Sequence, residues 1–529
     1  MGDDNMDEFT RRAIIQAGLA AVGTAATPRI AMGQGRKIIK AVGKIDVYDP
    51  VVGTSYATSR HACQVYDTLF GFDQQGIPRP QMVGKYEVSN DKLTWTFELR
   101  EGLKFHDGTR VTTADVIPSI RRWAERSGLG SALLESLKDI TPRDDKTFTL
   151  ELKERFGLVP DALSWPFIMR KKEAETDPTV KISEIVGSGP FKFNEAETKP
   201  GAQYVYDRNP DYVPRNEPPS GMAGGKVVKI DRFMFVHIPD PQTAVSAVQA
   251  GEVDFLPETP MDLLDQLSKD ENVKLEALYG GEIGFYRFNF LQPPFDNVKC
   301  RQAVLHLVDQ SEFLNVNFPN PGYYKTCASY FACGTAMEND ANTAWFRDAP
   351  NVDKAKQLLK EGGYDGRPVV ILQPTDWLNG KVAAEILAAQ LRRAGVNVQL
   401  HAMAWAGLVA RRAVRGPQDQ GGWNIFPSSI AVADAAFPLG VIQQANGEKG
   451  MWGWPSDAKH EELRKKWGQS DAMDERKKIA REMQDNAWNY VLYAWYGQWV
   501  QPSLMRANIK GMLKSPSGYF IPWWNVDKV

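Results

Sequence analysis

The sequence predicts an α/β protein made of two α/β regions and a β-rich insertion. Strand-like and helix-like patterns alternate between residues 229 and 256 and again between 352 and 414, which is typical of α/β units. Residues 280–290 lie between these regions and alternate large apolar side chains, as a long buried strand does. Short alternating strands within residues 71–198 predict that the insertion belongs to the first region.

The first region begins with a predicted strand at 37–47, which is followed by a helix. Apolar side chains at i, i+3, i+4, i+7 and i+8 indicate this helix: Ala62, Val65, Tyr66, Leu69 and Phe70. In the insertion, the alternation of LTWTFEL at 93–99 predicts a half-buried antiparallel strand. Thr112 and Asp115 predict a capping-box start for a helix that reaches Trp123.

A strand-helix-strand unit continues the first region. Residues 229–238 show little alternation, as expected of a buried parallel strand. Asp240 caps the next helix, Pro241 occupies its first position and Gly251 follows its end. The chain then returns as a strand at 253–256.

The central strand carries the large side chains Phe285, Tyr286, Phe288 and Phe290. Pro293 and Pro294 end it, because proline offers no N–H to a strand ladder. Asp296 or Asn297 can cap the helix that follows. A long strand in mid-chain, bounded by glycines and prolines, is expected to carry the chain from one lobe to the other.

The second region continues as predicted helices and strands. These are helix 352–361, strand 369–373, helix 382–394, strand 396–403, helix 405–414, a charged helical segment 457–490 and an aromatic strand 493–502. The stretches 317–350 and 423–455 show no periodicity that predicts an element.

Composition excludes several classes of protein. The net charge is -2 with both signs interspersed, which argues against nucleic-acid binding. No window reaches the roughly 18 consecutive apolar residues of a membrane span. The 15 Trp and 17 Tyr exceed what a core requires, and such side chains suit ligand pockets.

The N-terminus, residues 1–33, has the pattern of an export signal. Arg11 and Arg12 precede an apolar run to Ala26, and Ala31-Met32-Gly33 offers a cleavage site. Paired arginines before a weakly apolar core resemble a twin-arginine signal, which predicts a periplasmic protein. A disordered tail or a short amphipathic helix is the alternative interpretation.

Four cysteines are present. Cys327 and Cys333 flank the short turn CASYFAC and are the expected disulfide in an oxidising compartment. Cys63 and Cys300 lie in apolar helical patterns and are expected to be buried free thiols.

Several segments together resemble the extracellular solute-binding proteins of the dipeptide, oligopeptide and nickel class, family 5. They are VYDTLFGFDQQG at 65–76, LTWTFELREGLKFHDGTRVTTADV at 93–116, GSGPFKF at 187–193, YDRNPDYV at 206–213, SAVQAGEVDF at 246–255 and FNFLQPPFDNVKCRQAVLHLVD at 288–309. The resemblance implies a two-lobed periplasmic binding protein of type II, cluster C, with a β-rich subdomain in lobe I and two crossing strands. It implies lobe I at 36–283, with the subdomain at about 71–198, lobe II at 284–497, and a return to lobe I at 498–529.

The resemblance also implies the receptor subunit of an ABC importer, which binds a small solute between its lobes, presents it to the permease subunits and performs no catalysis. It implies a monomer with no cofactor and no nucleic-acid partner. The implied ligand-binding residues are Thr54, Ser55, Tyr56, Glu258, Phe285, Tyr286, Trp405, Trp423, Asn424, Tyr493 and Trp495.

One position departs from the family pattern. Peptide receptors of the family carry an aspartate three residues after the tryptophan that matches Trp423, and here that position is Phe426. Either Asp434 replaces this amine anchor, or the ligand has no ammonium at that point. Arg411, Arg412 and Arg415 precede the loop and suit carboxylate recognition, although they can also form a solvated face.

Three alternatives to a peptide receptor remain at this stage. The first is a receptor for an aromatic or carboxylate compound, and the second is a receptor for nickel or a metal chelate. The six histidines show no metal-ligand spacing, and His61 is the one expected near the pocket edge. The third is an exported hydrolase, but the sequence contains no G-x-S-x-G and no H-E-x-x-H.

Overall fold

The structure is a computed structural model that describes residues 36–53, 55–515 and 518–529. The predicted export signal at 1–33 and the candidate site residue Thr54 lie outside the described residues. Within the described residues, no helix combines the length and the apolar composition that a membrane crossing requires.

The described strands are, in chain order, β1 (Ile38–Val42), β2 (Phe70–Phe72), β3 (Pro78–Pro80), β4 (Val83–Val88), β5 (Thr94–Leu99), β6 (Leu137–Pro142), β7 (Thr147–Leu152), β8 (Phe191–Phe193), β9 (Gln203–Arg208), β10 (Arg232–Val236), β11 (Phe255–Leu256), β12 (Val273–Glu276), β13 (Glu282–Phe288), β14 (Tyr324–Lys325), β15 (Val369–Pro374), β16 (Val398–Met403), β17 (Ile425–Ala431), β18 (Tyr493–Trp499), β19 (Ser503–Arg506), β20 (Ile509–Lys510) and β21 (Asp527–Lys528).

The described helices are α1 (Tyr56–Val65), α2 (Thr113–Ala124), α3 (Gly128–Ser136), α4 (Val159–Ala162), α5 (Lys171–Ala174), α6 (Pro241–Ala250), α7 (Leu264–Leu267), α8 (Val298–Leu307), α9 (Gln310–Asn317), α10 (Ala344–Arg347), α11 (Val352–Glu361), α12 (Leu378–Arg393), α13 (Trp405–Arg411), α14 (Val432–Ala435), α15 (Ala458–Gln469) and α16 (Met473–Tyr490).

A seven-stranded sheet forms the centre of lobe I, in the order β12-β19-β11-β1-β10-β9-β8. Strand β1 pairs in parallel with β10 and β11, which confirms the predicted strand-helix-strand unit. Helix α6 of that unit begins as expected: Asp240 accepts a hydrogen bond from the Thr243 N–H, and Gly251 ends it with a φ of 78°.

A six-stranded sheet forms the centre of lobe II, in the order β14-β18-β13-β17-β15-β16. The predicted central strand β13 lies in its middle, antiparallel to both β17 and β18. Strand β17 was not predicted, since it falls in the stretch 423–455 that shows no periodicity. It runs parallel to β15, so the sheet is mixed.

The chain passes from one sheet to the other twice, each time through a short connecting segment. It leaves the first sheet after Glu276 and enters the second at Glu282, and it returns between Trp499 and Ser503. Strands β13 and β18 themselves lie in the second sheet. The segments that connect the sheets are therefore 277–281 and 500–502, which are shorter than the strand at 280–290 that was expected to cross.

The insertion contains a four-stranded antiparallel sheet, β4-β5-β7-β6. In β5 the buried residues Trp95, Phe97 and Leu99 alternate with half-buried ones, as predicted. The capping box at the start of α2 is also present, because the Asp115 carboxylate accepts hydrogen bonds from the Thr112 N–H and hydroxyl at 2.9 Å.

Two helix predictions were too long. Helix α1 ends at Val65, where Tyr66 turns to an extended conformation, so Leu69 and Phe70 lie beyond the helix although they continue its apolar pattern. The charged segment 457–490 forms two helices, α15 and α16, separated at 470–472.

The cysteines have the pairing that was expected from their spacing. Cys327 and Cys333 form a disulfide with their Cα atoms 5.7 Å apart. Cys63 and Cys300 are free and buried. The disulfide closes the turn that precedes the long segment leading to α11.

Candidate functional site

The carboxyl ends of three parallel strands in lobe II meet at one edge of the sheet. Strands β15 and β16 are parallel in full register, and β17 is parallel to β15. Trp405 follows β16, and Asp434 follows β17. Glu282 reaches the same edge from β13, because it pairs with Ala431 at the end of β17. Ligands of α/β proteins bind at such edges.

An acidic cluster lies where this edge contacts residues of lobe I. The Tyr56 hydroxyl at the start of α1 donates to Glu282 Oε1 at 3.3 Å, and the Ser429 hydroxyl donates to Oε2 at 2.8 Å. The Tyr519 hydroxyl, from the C-terminal segment, donates to Asp434. The Tyr56 and Tyr519 rings meet edge to face with centroids 4.5 Å apart. Two carboxyl groups of lobe II are thus covered by two tyrosines of lobe I.

Burial dominates the electrostatics of this cluster. It raises the pKa of Glu282 to about 7; the charge of Glu258 adds to this, whereas the hydrogen bonds from Ser429 and Tyr56 oppose it. Burial also raises the pKa of Asp434 to about 7, against the hydrogen bond from Tyr519. Asp434 Oδ2 is buried and has no hydrogen-bond partner among the described residues. Asp434 can therefore accept a further hydrogen bond at Oδ2.

Glu258 lies beside this cluster but remains exposed. Its Oε1 is 3.6 Å from Arg60 Nη2, and its side chain is 48% exposed. Arg60 in turn lies over the Tyr56 ring at 5.6 Å and donates from Nε to the Gly518 carbonyl at 3.2 Å. Glu258 is thus at the rim, with one cation already near it.

Ser55 has a structural function in the described residues. Its hydroxyl accepts a hydrogen bond from the Thr58 N–H at 3.2 Å and so caps α1, which orients Tyr56 at the first position of the helix. Ser55 is exposed. Its contribution to the site is to hold the helix that carries Tyr56.

Trp405 is the predicted aromatic residue that reaches the sheet edge. Its backbone N–H donates to Asp376 Oδ1 at 2.6 Å, which fixes the start of α13 against the turn after β15. The Trp405 ring packs edge to face on Trp377, with centroids 5.2 Å apart. Both rings are partly exposed and could cover a ligand.

Six other predicted site residues lie inside lobe II. All are at most 1% exposed: Phe285, Tyr286, Trp423, Asn424, Tyr493 and Trp495. Tyr286 donates to the Ala383 carbonyl at 2.8 Å, and Asn424 bonds the Val370 N–H and the Pro293 carbonyl. These contacts join β13, β15 and α12. Tyr286 and Asn424 thus make structural contacts within lobe II, and their contribution to a pocket stays a prediction.

The aromatic residues of β18 also pack inward. Trp495 Nε1 donates to the Ser329 carbonyl at 2.9 Å, and the Tyr493 ring stacks on Tyr330 with centroids 4.8 Å apart. The centre of the Phe285 ring lies 6.2 Å from that of Tyr493 and 6.3 Å from that of Trp495. Trp423 packs on Phe426 at 5.1 Å. The neighbours of these residues are core side chains, because large alternating aromatics in a central strand serve first to fill the space between layers.

Sequence reasoning missed Glu282, Ser429 and Tyr519. One signal was available for Glu282, which is the acid at the start of an otherwise apolar strand. No spacing rule could have joined it to Tyr519, because the two residues are far apart in the sequence and meet only when the chain returns to lobe I.

His61 does not lie at a pocket edge. It is fully buried in the core of lobe I, where Nδ1 is 2.7 Å from the Tyr206 hydroxyl, and burial lowers its pKa to about 3. Within the described ranges, no group of three or more His, Cys, Asp or Glu side chains could hold a metal ion.

We compared the sequence with protein-family models and with curated proteins. A family model described as "Bacterial extracellular solute-binding proteins, family 5 Middle" matches residues 78–450. A probable peptide ABC transporter periplasmic-binding protein of Sinorhizobium fredii is 45% identical over 98% of this chain and 99% of its own length. A dipeptide-binding protein of Bacillus subtilis is 26% identical over 90% of this chain and 89% of its own length.

Solved structures of two-lobed periplasmic binding proteins share the fold. A periplasmic binding protein of Agrobacterium tumefaciens in complex with agropinic acid superposes with a TM-score of 0.76 at 23% identity, covering 94% of this chain and 99% of that chain. A binding protein of Helicobacter pylori in complex with a peptide gives 0.76 at 19%, covering 93% and 98%. The family model and the 45% identical relative thus define a solute-binding protein. This chain belongs to the bacterial extracellular solute-binding proteins of family 5.

Proposed function

We propose that the protein is the substrate-binding component of an ABC importer, which captures a peptide or peptide-like solute between its lobes. Family membership supports the general role, and the name of the 45% identical relative supports both the peptide and the importer. In this proposal the protein binds without catalysing a reaction, acts as a monomer in the periplasm after export on the signal at 1–33, and presents the closed form to permease subunits. The predicted lobe boundaries are part of the same proposal, with the first one moved from 283 to 281 because Glu282 begins the lobe II sheet.

The observation that carries the proposal is the buried pair Glu282 and Asp434. A buried carboxylate is costly unless a cation compensates it, and the raised pKa values express that cost. A ligand ammonium placed between the two carboxyl groups would supply the cation. Asp434 then takes the role that the family gives to the aspartate at the position of Phe426.

The tyrosines couple this anchor to closure of the lobes. Tyr56 and Tyr519 come from lobe I, and their hydroxyls reach Glu282 and Asp434 at the edge of the lobe II sheet. A ligand ammonium keeps the two carboxylates ionised, and an ionised carboxylate accepts the tyrosine hydrogen bonds more strongly than a protonated one. Ligand binding would therefore favour the closed form, which the permease recognises.

A thermal-shift screen tests the proposal. Free-amine di- to pentapeptides are compared with the same peptides acetylated at the amino end. A ligand at 100 times its Kd should stabilise the protein by about 2.7 kcal/mol. We expect a rise in Tm with free-amine peptides and little or none with the acetylated set. Equal shifts with both sets would contradict the ammonium anchor, and no shift with any peptide would contradict the peptide assignment.

A further inference from the structure

The β-rich insertion of lobe I contacts lobe II through residues that do not belong to the acidic cluster. The Gly157 N–H, in the loop before α4, donates to the Gly468 carbonyl in the last turn of α15 at 2.8 Å. Arg476, in the first turn of α16, donates from Nη2 to the Gly157 carbonyl at 3.1 Å. Lobe II therefore satisfies both backbone polar groups of Gly157.

Two ion pairs accompany these hydrogen bonds. Lys92 Nζ is 2.6 Å from Asp471 Oδ2, and Lys465 Nζ is 2.9 Å from Glu154 Oε2. Gln469 Nε2 also donates to Glu154 Oε2 at 3.1 Å. In each pair one charge belongs to the insertion and the other to lobe II. We call the whole contact the insertion bridge, and its members are Lys92, residues 154–161 and residues 465–476.

Gly157 fits closely into the insertion bridge. A Cβ atom at this position would lie 2.5 Å from the Ser470 carbonyl oxygen and 2.9 Å from Asp471 Oδ1. The atoms nearest to such a Cβ all belong to lobe II. A side chain at position 157 would therefore act as a wedge between the insertion and lobe II, and its effect depends on whether the two are in contact.

The insertion is joined to lobe I in a different way. Arg122 on α2 and Asp49 after β1 form a bidentate ion pair with Nη2 and Oδ2 2.8 Å apart, and their side chains are only 2% and 1% exposed. The four charged side chains of the insertion bridge are 34–60% exposed. Separating a buried pair strands two charges, whereas exposed pairs contribute little and separate readily in water. The insertion is therefore expected to stay with lobe I when the lobes part.

We propose that the insertion bridge is a latch for the closed form, which holds part of the ligand-free molecules closed. Arg476 is its central residue, because its Nε also donates to the Ser470 carbonyl at 2.8 Å and its guanidinium lies over the Trp467 ring at 5.0 Å. A ligand that binds only the closed form has an apparent Kd that increases as the closed fraction falls, so the latch changes the affinity for every such ligand by the same factor. This last step rests on the proposed function.

Gly157→Ala tests the latch through its shape, because the added methyl group would meet Ser470 and keep the bridge from forming. Small-angle X-ray scattering of the ligand-free protein measures the result, since an open form has a larger radius of gyration than a closed one. We expect a larger radius with a Tm within about 2 °C of the wild-type value. Leu158 and Trp467 belong to one buried apolar cluster. An unchanged radius would therefore overturn the inference, and a lower Tm beside it would identify a permanent joint.

Charge reversal tests the latch at exposed positions, where folding is not at risk. Lys465→Glu replaces attraction to Glu154 with repulsion and should lower the ratio of closed to open molecules roughly two- to fivefold. Adding Glu154→Lys to this variant restores an ion pair and should restore the wild-type radius. Lys466→Glu is the matched control, because it makes the same charge change at the next residue of α15 and breaks a pair with Glu462 that lies within lobe II. Equal radii in Lys465→Glu and Lys466→Glu would contradict the latch.

Salt provides an independent measurement of the same latch. The radius of the ligand-free wild-type protein should increase between about 0.05 M and about 0.5 M NaCl, because salt screens exposed ion pairs, and that of Gly157→Ala should stay constant. A constant wild-type radius would contradict the latch. These measurements use no ligand and are therefore independent of the peptide assignment. If no peptide binds and the radii change as expected, the peptide assignment fails and the latch stands; if peptides bind and the radii do not change, the latch alone fails.

Discussion

The Tyr56 hydroxyl donates to the Glu282 carboxylate at 3.3 Å and so joins the first helix of lobe I to the first residue of the central strand of lobe II. Glu282 lies directly after the connection 277–281, where the chain passes from one sheet to the other. Any change in the angle between the lobes therefore acts on this hydrogen bond. In the proposed function, this hydrogen bond links the charge of Glu282 to closure of the cleft.

The raised pKa values predict how stability depends on pH. Glu282 and Asp434 titrate near pH 7 in the folded protein and near pH 4 when unfolded, so the folded state binds more protons between these values. Stability from these groups is present below pH 4 and is lost as the pH rises to about 7. Since one pKa unit corresponds to about 1.4 kcal/mol, we expect a loss on the order of 3–4 kcal/mol from each of the two groups.

The measurement is urea unfolding of the ligand-free protein at pH 5, 6, 7 and 8. Asp434→Asn and Glu282→Gln should be more stable than the wild-type protein at pH 8 and should lose the advantage at pH 5. The pKa of Asp161 is also raised, to about 6. Asp161 is present in the wild-type protein and in both variants, so its contribution cancels when their free energies of unfolding are subtracted. An advantage that does not change with pH would contradict the titration.

Ligand affinity should have the opposite pH dependence. An ammonium ligand binds the charged carboxylates, so its affinity should increase by about tenfold between pH 6 and pH 8 for each carboxylate that must lose its proton. Titrations in two buffers of different ionisation enthalpy will also detect the proton release. Affinity that stays constant over this range would exclude these groups from the binding equilibrium.

The disulfide predicts a thiol count and a stability effect. The denatured mature protein should show two reactive thiols, from Cys63 and Cys300, and four after reduction. Because Cys327 and Cys333 are six residues apart, replacing both with serine should cost about 2 kcal/mol in the loop-entropy model. Four thiols before reduction would show that the bond does not form.

The close packing around Gly284 in β13 predicts that an added side chain at this position destabilises the protein. A Cβ atom at this position would lie 2.0 Å from the Tyr496 ring, which is itself fixed by its hydroxyl bond to the Ser428 carbonyl. Gly284→Ala should therefore destabilise the protein by about 1–3 kcal/mol in urea unfolding. Gly407→Ala is the control: its nearest neighbour would be Met403 at 3.6 Å, so a loss of similar size there would weaken the packing argument.

The sequence predicted those parts of the fold that have local causes. The Asp240 cap, the Gly251 stop and the alternation in β5 follow from neighbouring residues and are observed. Strand β17 was missed because Pro427 and two serines are unfavourable in a central strand, and only pairing with β13 overrides them. The alternating aromatics of β13 and β18 predicted a buried strand correctly, but they could not distinguish core from pocket.

The site itself depends on contacts that the sequence does not encode locally. Tyr56, Glu282, Asp434 and Tyr519 come from four separate parts of the chain, which the connections at 277–281 and 500–502 bring together. Asp434 as a replacement for the missing aspartate at Phe426 stays a prediction; the structure shows it buried and bonded to Tyr519. Arg412 looked like part of a solvated face, but its guanidinium carbon lies 3.6 Å from the centre of the Trp452 ring.

The most direct test of the account is the affinity of Asp434→Asn for the peptide that gives the largest thermal shift, measured by calorimetry at pH 8. We expect a loss of at least tenfold for the free-amine peptide and less than twofold for its acetylated form, since the lost interaction is a charge-assisted hydrogen bond. Glu258→Gln, at the exposed rim, should bind within twofold of the wild-type protein. Wild-type affinity in Asp434→Asn would contradict the central claim that this carboxylate anchors the ligand.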